Sequence, residues 1–183
     1  MRLFIAVPLP PAAERHAARM LERLRARGWP VRWVRDGGLH VTLKFFGEVT
    51  PDRADAIAEM LQFAATNMAP MGMALEGGGA FPGWDRPRVL HLGVTAGPDL
   101  ELLQDRIERG GERLGFPPEG RPFRPHITLG RVREGQRLPE DWRQELERIE
   151  GGPPFQADRV VLFESQLSGE GPVYAIRHEV RLA

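Results

Sequence analysis

Apolar and polar residues alternate through His40-Val41-Thr42-Leu43-Lys44-Phe45-Phe46-Gly47-Glu48 and again through His126-Ile127-Thr128-Leu129-Gly130-Arg131. A period of two is the mark of a strand buried on one face. It puts His40 with Thr42, and His126 with Thr128, on one side of each strand. Val41, Ile127 and the leucines that follow take the other side, as anchors in a core. The same alternation predicts strands over residues 3–7, 71–76, 89–94, 155–167 and 173–180. The last two are joined through Ser168-Gly169-Glu170-Gly171, so the chain is expected to end in a hairpin.

Helical spacing appears between these strands. Ala13, Ala17, Met20, Leu21 and Leu24 form one apolar stripe; Ile57, Met60, Leu61 and Ala64 form a second; Leu100, Leu103, Ile107 and Leu114 form a third. Pro10-Pro11 and Thr50-Pro51 suit helix starts, and Gly28 suits an end. Gly110-Gly111 is expected to weaken the third helix. A short fourth helix is predicted over residues 139–149, and the glycine run 77–79, with the segment after it, reads as a loop.

The order strand, helix, His-x-Thr strand, helix occurs twice, and Phe4 precedes His40 by the interval that separates Leu90 from His126. This points to an internal duplication. The predicted fold class is α+β: two pseudo-symmetric lobes of antiparallel sheet with outer helices around a central cleft. Residues 1–183 would form a single domain, with lobes at about 1–78 and 89–140 and a C-terminal hairpin at about 155–180. The motif strands are expected to face one another across the cleft, where pockets commonly form.

At 183 residues, with 42% hydrophobic and 27% charged, the chain reads as an ordinary globular domain. Its 25 basic and 25 acidic residues argue against a protein that grips long nucleic acid by its phosphates. Any nucleic-acid partner should be met at an end. The absence of cysteine removes thiolate catalysis and Cys-based zinc sites, and fits a reducing compartment. No apolar run approaches the roughly 20 residues of a membrane span. Pro8, Pro10 and Pro11 break the apolar start, which therefore reads as a first strand of a cytoplasmic protein and not as a signal peptide. No heptad pattern suggests an oligomer, so a monomer is expected by default.

Two imidazoles on either side of a substrate can serve as base and acid in one displacement. The threonines add a hydroxyl donor beside each ring, which suits an anion with several oxygens, phosphate above all. The nearest cations are Arg131 and Lys44, the only lysine of the chain. Strict alternation puts Lys44 on the histidine face and Arg131 on the opposite one unless the strand bends. Zinc is the chemical rival, but a catalytic zinc wants a third protein ligand and neither motif supplies one at ligand spacing. Either histidine alone would read as a half-buried strand residue; their matched repetition with threonine points to catalysis. Trp84 and Phe46 are candidates to stack on a base, whereas core packing is expected of Phe45 and of His91. Arg121, Arg124, Arg133 and Arg137 could form a basic rim.

The two His-x-Thr motifs, with Phe123-Arg124-Pro125 ahead of the second, resemble the signature of the two-histidine (2H) phosphoesterases. Within that superfamily the likeness is to the bacterial and archaeal 2′-5′ RNA ligases, or RNA 2′,3′-cyclic phosphodiesterases. It extends to Arg2-Leu3-Phe4-Ile5-Ala6-Val7, to Phe81-Pro82 with Arg86-Pro87-Arg88-Val89-Leu90, and to Phe163-Glu164-Ser165. The resemblance implies a two-lobed fold with no metal and no cofactor. It implies hydrolysis of a terminal RNA 2′,3′-cyclic phosphate to a 2′-phosphomonoester, with tRNA fragments or small cyclic nucleotides among the candidate substrates. His40 would be the proton donor to the leaving oxygen and His126 the proton acceptor from water, with Thr42 and Thr128 on the non-bridging oxygens. Run in reverse, the same site would make a 2′-5′ linkage without a nucleotide cofactor. The rival from another class is a non-catalytic module that binds a nucleotide or RNA end, which has no need of two titrating imidazoles.

Overall fold

The strand at the amino terminus, β1 (Arg2–Pro8), turns through Pro10 into helix α1 (Pro11–Arg25). A short strand β2 (Val31–Trp33) and the first motif strand β3 (His40–Glu48) follow, then α2 (Pro51–Ala64). The second unit runs β4 (Met71–Phe81), β5 (Val89–Ala96), α3 (Pro98–Arg113) and the second motif strand β6 (His126–Val132). Helix α4 (Trp142–Glu147), β7 (Phe155–Ala157), β8 (Arg159–Ser168) and β9 (Gly171–Arg181) complete the chain. This computed structural model describes residues 1–169 and 171–183, so Glu170 of the predicted hairpin turn lies outside the described residues.

All strands share one antiparallel sheet in the order β7-β4-β5-β6-β3-β1-β8-β9, with β2 attached to β6. Each half contributes four strands to that path, and its motif strand is the innermost. The halves meet where Val41 of β3 registers with Ile127 of β6. The motif strands are thus neighbours at the centre of one sheet, and not the facing walls of separate sheets. Each is flanked on its outer side by the strand that leads into the helix before it, β1 (ahead of α1) beside β3 and β5 (ahead of α3) beside β6.

One face of the sheet carries the main core. Leu3, Ile5, Val41, Leu90, Leu92 and Ile127 are fully buried there, with Leu21, Ile57, Leu61, Leu103 and Ile107 from the helices. Removing such side chains from water stabilises by about 1.5–3 kcal/mol each. The three predicted stripes are the buried faces of α1, α2 and α3, and all three helices open with a proline in the first turn.

Three local expectations differ. Strand β2 is too short to show a period. The predicted 155–167 strand divides into β7, which pairs with β4, and β8, which pairs with β1. The glycines 77–79 lie inside β4 and are not a loop; a Cβ on Gly79 would stand 2.6 Å from the His91 ring. Close approach, and not turn formation, accounts for a glycine there. Gly110 and Gly111 act alike within α3: a Cβ on either would meet Met60 at 2.5 Å or Lys44 at 2.7 Å.

Candidate active site

Both motifs are bent at the same residue. In β3, Thr42 registers with Ala6 and Lys44 with Ile5, which leaves Leu43 without a partner on β1. In β6, Thr128 registers with His91 and Gly130 with Leu90, which leaves Leu129 without a partner on β5. An extra residue of this kind is a β-bulge; it re-aims the side chains that follow and inverts their alternation.

The inversion decides the fate of the two candidate cations. Lys44 is carried to the helix face, where it is 5% exposed. Its Nζ donates to Glu108 Oε2 at 2.8 Å and to the Pro117 carbonyl at 3.1 Å. Lys44, expected to bind phosphate, is among the residues that line the groove, but its ammonium is engaged in tying β3 to α3. Gly130, its counterpart in β6, likewise faces Val31 and Trp33. Arg131 falls in the opposite phase, on the face of the histidines, and borders the groove.

The proposed stackers are corrected by the same geometry. Phe46 is buried with its ring edge-on to Phe116 at 5.0 Å. Phe45, expected in the core, is the residue left 61% exposed. Trp84 stacks on Trp142 at 5.4 Å and carries the Arg143 guanidinium over its ring at 4.9 Å. Neither Trp84 nor Phe46 borders the groove.

That groove measures about 1580 Å³ and runs past His40, Thr42, His126 and Thr128, reaching Lys44 and Glu108 at one side. Arg121, Arg124 and Arg133 border it as a rim; Arg137 does not. Each histidine is held by a backbone carbonyl two residues upstream. His126 Nδ1 lies 2.7 Å from the Arg124 oxygen, and His40 is hydrogen-bonded to Gly38. A carbonyl only accepts, so Nδ1 of His126 carries the hydrogen and Nε2 keeps its lone pair.

Burial dominates the protonation of these rings. His40 lies between Phe4 at 4.9 Å and Tyr174 at 5.3 Å, with Phe163 beyond. Desolvation pushes its pKa down to about 4, the Gly38 carbonyl opposes the shift, and a charge on His126 adds to it. His126 is lowered first by burial and then by Arg131, against the pull of the Arg124 carbonyl. At neutral pH both rings are therefore neutral, and a bound anion would draw a proton onto one of them.

His91 is not a remote core residue. It stacks on Phe81 at 4.1 Å, meets the His126 ring at 5.3 Å, and is also pushed down to about 4, mainly by burial. Among the described residues no three His, Asp or Glu side chains converge as metal ligands would. Two groove residues escaped sequence reasoning. Arg32 lies on β2, too short to place. Tyr174 lies on β9, three strands from β3, roughly 14 Å away across a flat sheet. Only the curl of the sheet brings its ring to 5.3 Å from His40, and the pattern of β9 carries no sign of that.

Two histidines on the paired inner strands of one antiparallel sheet, each with a threonine beside it, are the arrangement of the two-histidine class of phosphoesterase. Comparison with known proteins agrees. The sequence model of the family described as LigT like Phosphoesterase matches residues 7–91 and 92–174, and the chain belongs to this family. It is similar to proteins named RNA 2′,3′-cyclic phosphodiesterase from Aeropyrum pernix (36% identical, covering 91% of this chain and 94% of that one) and Thermotoga maritima (33%, covering 98% and 94%). A crystal structure from Thermus thermophilus superposes with a TM-score of 0.79 at 30% identity, covering 100% of this chain and 98% of that one. Escherichia coli LigT complexed with 3′-AMP superposes with a TM-score of 0.76 at 26% identity, covering 99% and 97%.

Proposed function

We propose that this protein hydrolyses the 2′,3′-cyclic phosphate at RNA ends to a 2′-phosphomonoester, by acid–base catalysis without a metal. The observation that carries this reading is the matched pair of histidines: each ring is fixed by the carbonyl two residues before it, on adjoining strands that border one groove. The names of the relatives from Aeropyrum and Thermotoga support the substrate class.

In this mechanism Nε2 of His126 takes a proton from water as the oxygen attacks phosphorus. His40, protonated when the phosphate anion binds, donates to O3′ as the P–O3′ bond breaks. Thr42 and Thr128 hold the non-bridging oxygens, with Arg131 neutralising the charge that gathers on them. The reverse course, with a 5′-hydroxyl in place of water, forms a 2′-5′ linkage from the energy stored in the strained ring. The donor set supports a metal-free route, since two imidazoles lack the third ligand of a catalytic zinc.

The test uses an oligoribonucleotide ending in a 2′,3′-cyclic phosphate, incubated with the protein in EDTA and followed by phosphorus NMR. A 2′-phosphate is expected. Turnover that needs a divalent ion would overturn the acid–base mechanism; binding without turnover in either condition would leave a nucleotide-binding module.

A further inference from the structure

Behind the groove lies a row of residues that the proposed reaction leaves unused. Gly79 of β4, His91 of β5 and Thr128 of β6 stand opposite one another across three strands. Residues directly opposite in a sheet share a face, so the His91 ring is on the side of Thr128 and of His126. It is nevertheless not among the residues that border the groove, whereas Phe81 and His126 are. His91 stands behind them.

Three contacts leave the His91 ring little freedom. Phe81 stacks on it at 4.1 Å with the planes 22° apart. On the side of β4, Gly79 provides the room: a Cβ there would stand 2.6 Å from Cε1 and 2.9 Å from Nε2. On the side of β6 the ring meets His126 at 5.3 Å, inclined at 62°. Among the described residues its buried Nδ1 finds no hydrogen bond of ordinary geometry, so packing and not polar contact fixes the ring. The ring is also uncharged at neutral pH: burial, and after it a charge on His126, push it down to about 4. The titratable groups beside it are His126 on β6 and Glu76 on β4, whose carboxylate lies over Gly93 and takes the Thr95 hydroxyl.

His126 needs such a support. Its Nδ1 hydrogen bond to the Arg124 carbonyl, 2.7 Å long, fixes one point of the ring. A ring held at one point still pivots about that bond. Phe81 lies edge-on to it at 4.8 Å and His91 at 5.3 Å. These two rings, stacked on each other, form one wall against which His126 rests. In the first half an alanine, Ala6, takes the place opposite Thr42 that His91 takes opposite Thr128. There the His40 ring is enclosed instead by Phe4, Phe163 and Tyr174 from β1, β8 and β9.

We propose that His91 is a positioning residue: wedged between Phe81 and the gap at Gly79, it fixes the plane of the His126 ring so that Nε2 points at the attacking water. The inference rests on the cyclic phosphodiesterase reading, in which His126 is the base. In the step it serves, water gives its proton to Nε2 of His126 as its oxygen bonds to phosphorus. The P–O3′ bond breaks, and O3′ takes the proton of His40. His91 neither gives nor takes a proton. Misplacing a reacting group by about 1 Å can cost on the order of a hundredfold in rate, so a ring that touches no substrate can still govern kcat.

The experiment measures kcat and KM for an oligoribonucleotide ending in a 2′,3′-cyclic phosphate, with nitrogen NMR of the imidazoles to read the His126 tautomer. His91→Ala removes half of the wall and should lower kcat by about tenfold or more while KM changes by less than about twofold. The Nδ1–H signal of His126 should weaken with it. His91→Phe keeps a ring in that place and should stay within about threefold of the parent kcat. Gly79→Ala closes the gap from the other side; it should lower kcat in the parent protein and add nothing to His91→Ala. Circular dichroism verifies each fold, and Gly79→Ala with His91→Phe decides the matter should His91→Ala not fold. A kcat kept in both His91→Ala and Gly79→Ala, whatever their unfolding temperatures, would overturn the inference and leave the phosphodiesterase standing. So would a loss confined to KM. A kcat lost as fully in His91→Phe as in His91→Ala would mean that the imidazole itself moves a proton, and would overturn the positioning role. A parent protein that turns over no cyclic-ended oligoribonucleotide would overturn both readings together.

Discussion

A histidine enclosed by aromatic rings is easier to keep neutral than charged. His40, His91 and His126 are all lowered mainly by burial, and this couples the site to stability. With a folded pKa of about 4 for His40, the unfolded chain binds more protons than the folded one between that value and about 6.5. Stability therefore rises with pH across the window, is complete above about 6.5, and is lost as pH falls toward 4. His40 alone accounts for roughly 3 kcal/mol over that span. Urea unfolding at a series of pH values should show the loss in the parent protein and a shallower one in His40→Ala; equal slopes would contradict the buried, neutral ring. Turnover should respond more sharply. His40→Ala and His126→Ala are each expected to lower kcat by about a hundredfold or more, and near-full activity in either would remove that ring from the acid–base pair.

At the scale of the element, the bulges decide more than strand formation does. Alternation in the sequence placed His40, Thr42, His126 and Thr128 correctly on one face, because those residues precede Leu43 and Leu129. It misplaced Lys44, Phe45, Phe46 and Arg131 because all four follow an extra residue that only cross-strand register reveals. Helix stripes were legible since burial on one face is their whole content. The glycines of β4 were not, as a gap left for His91 looks in sequence like a turn. The Lys44–Glu108 pair yields a prediction of its own kind. Its side chains are 4% and 15% exposed, so Lys44→Met, which leaves the Glu108 carboxylate with only Gln104 and the Glu119 amide as donors, should cost about 3 kcal/mol in urea unfolding. Lys44→Met/Glu108→Leu should recover much of that loss. A phosphate role for Lys44 would show instead as weakened binding of inorganic phosphate in the double variant.

Over the whole molecule, charge is balanced, while the groove gathers Arg32, Arg121, Arg124, Arg131 and Arg133. Binding of RNA ends should therefore involve few phosphates. The logarithm of affinity for a cyclic-ended oligoribonucleotide is expected to fall with the logarithm of salt with a slope no steeper than about −2. Lengthening the RNA from a few nucleotides to a dozen should leave that slope unchanged; a slope that steepens with length would reveal a phosphate track beyond the groove. The two motif strands could be read from the chain, but their joining at the centre of one sheet could not, since nothing in a strand's pattern names its neighbour. That seam, registered at Val41 and Ile127, has a consequence in genetic terms. Repeated motifs usually suggest a spare, yet under the proposed mechanism the two copies make one reaction centre, and neither half would hold a complete one. The repeat confers no redundancy: a lesion in either copy should be a full loss of function, and the halves complement each other instead of backing each other up.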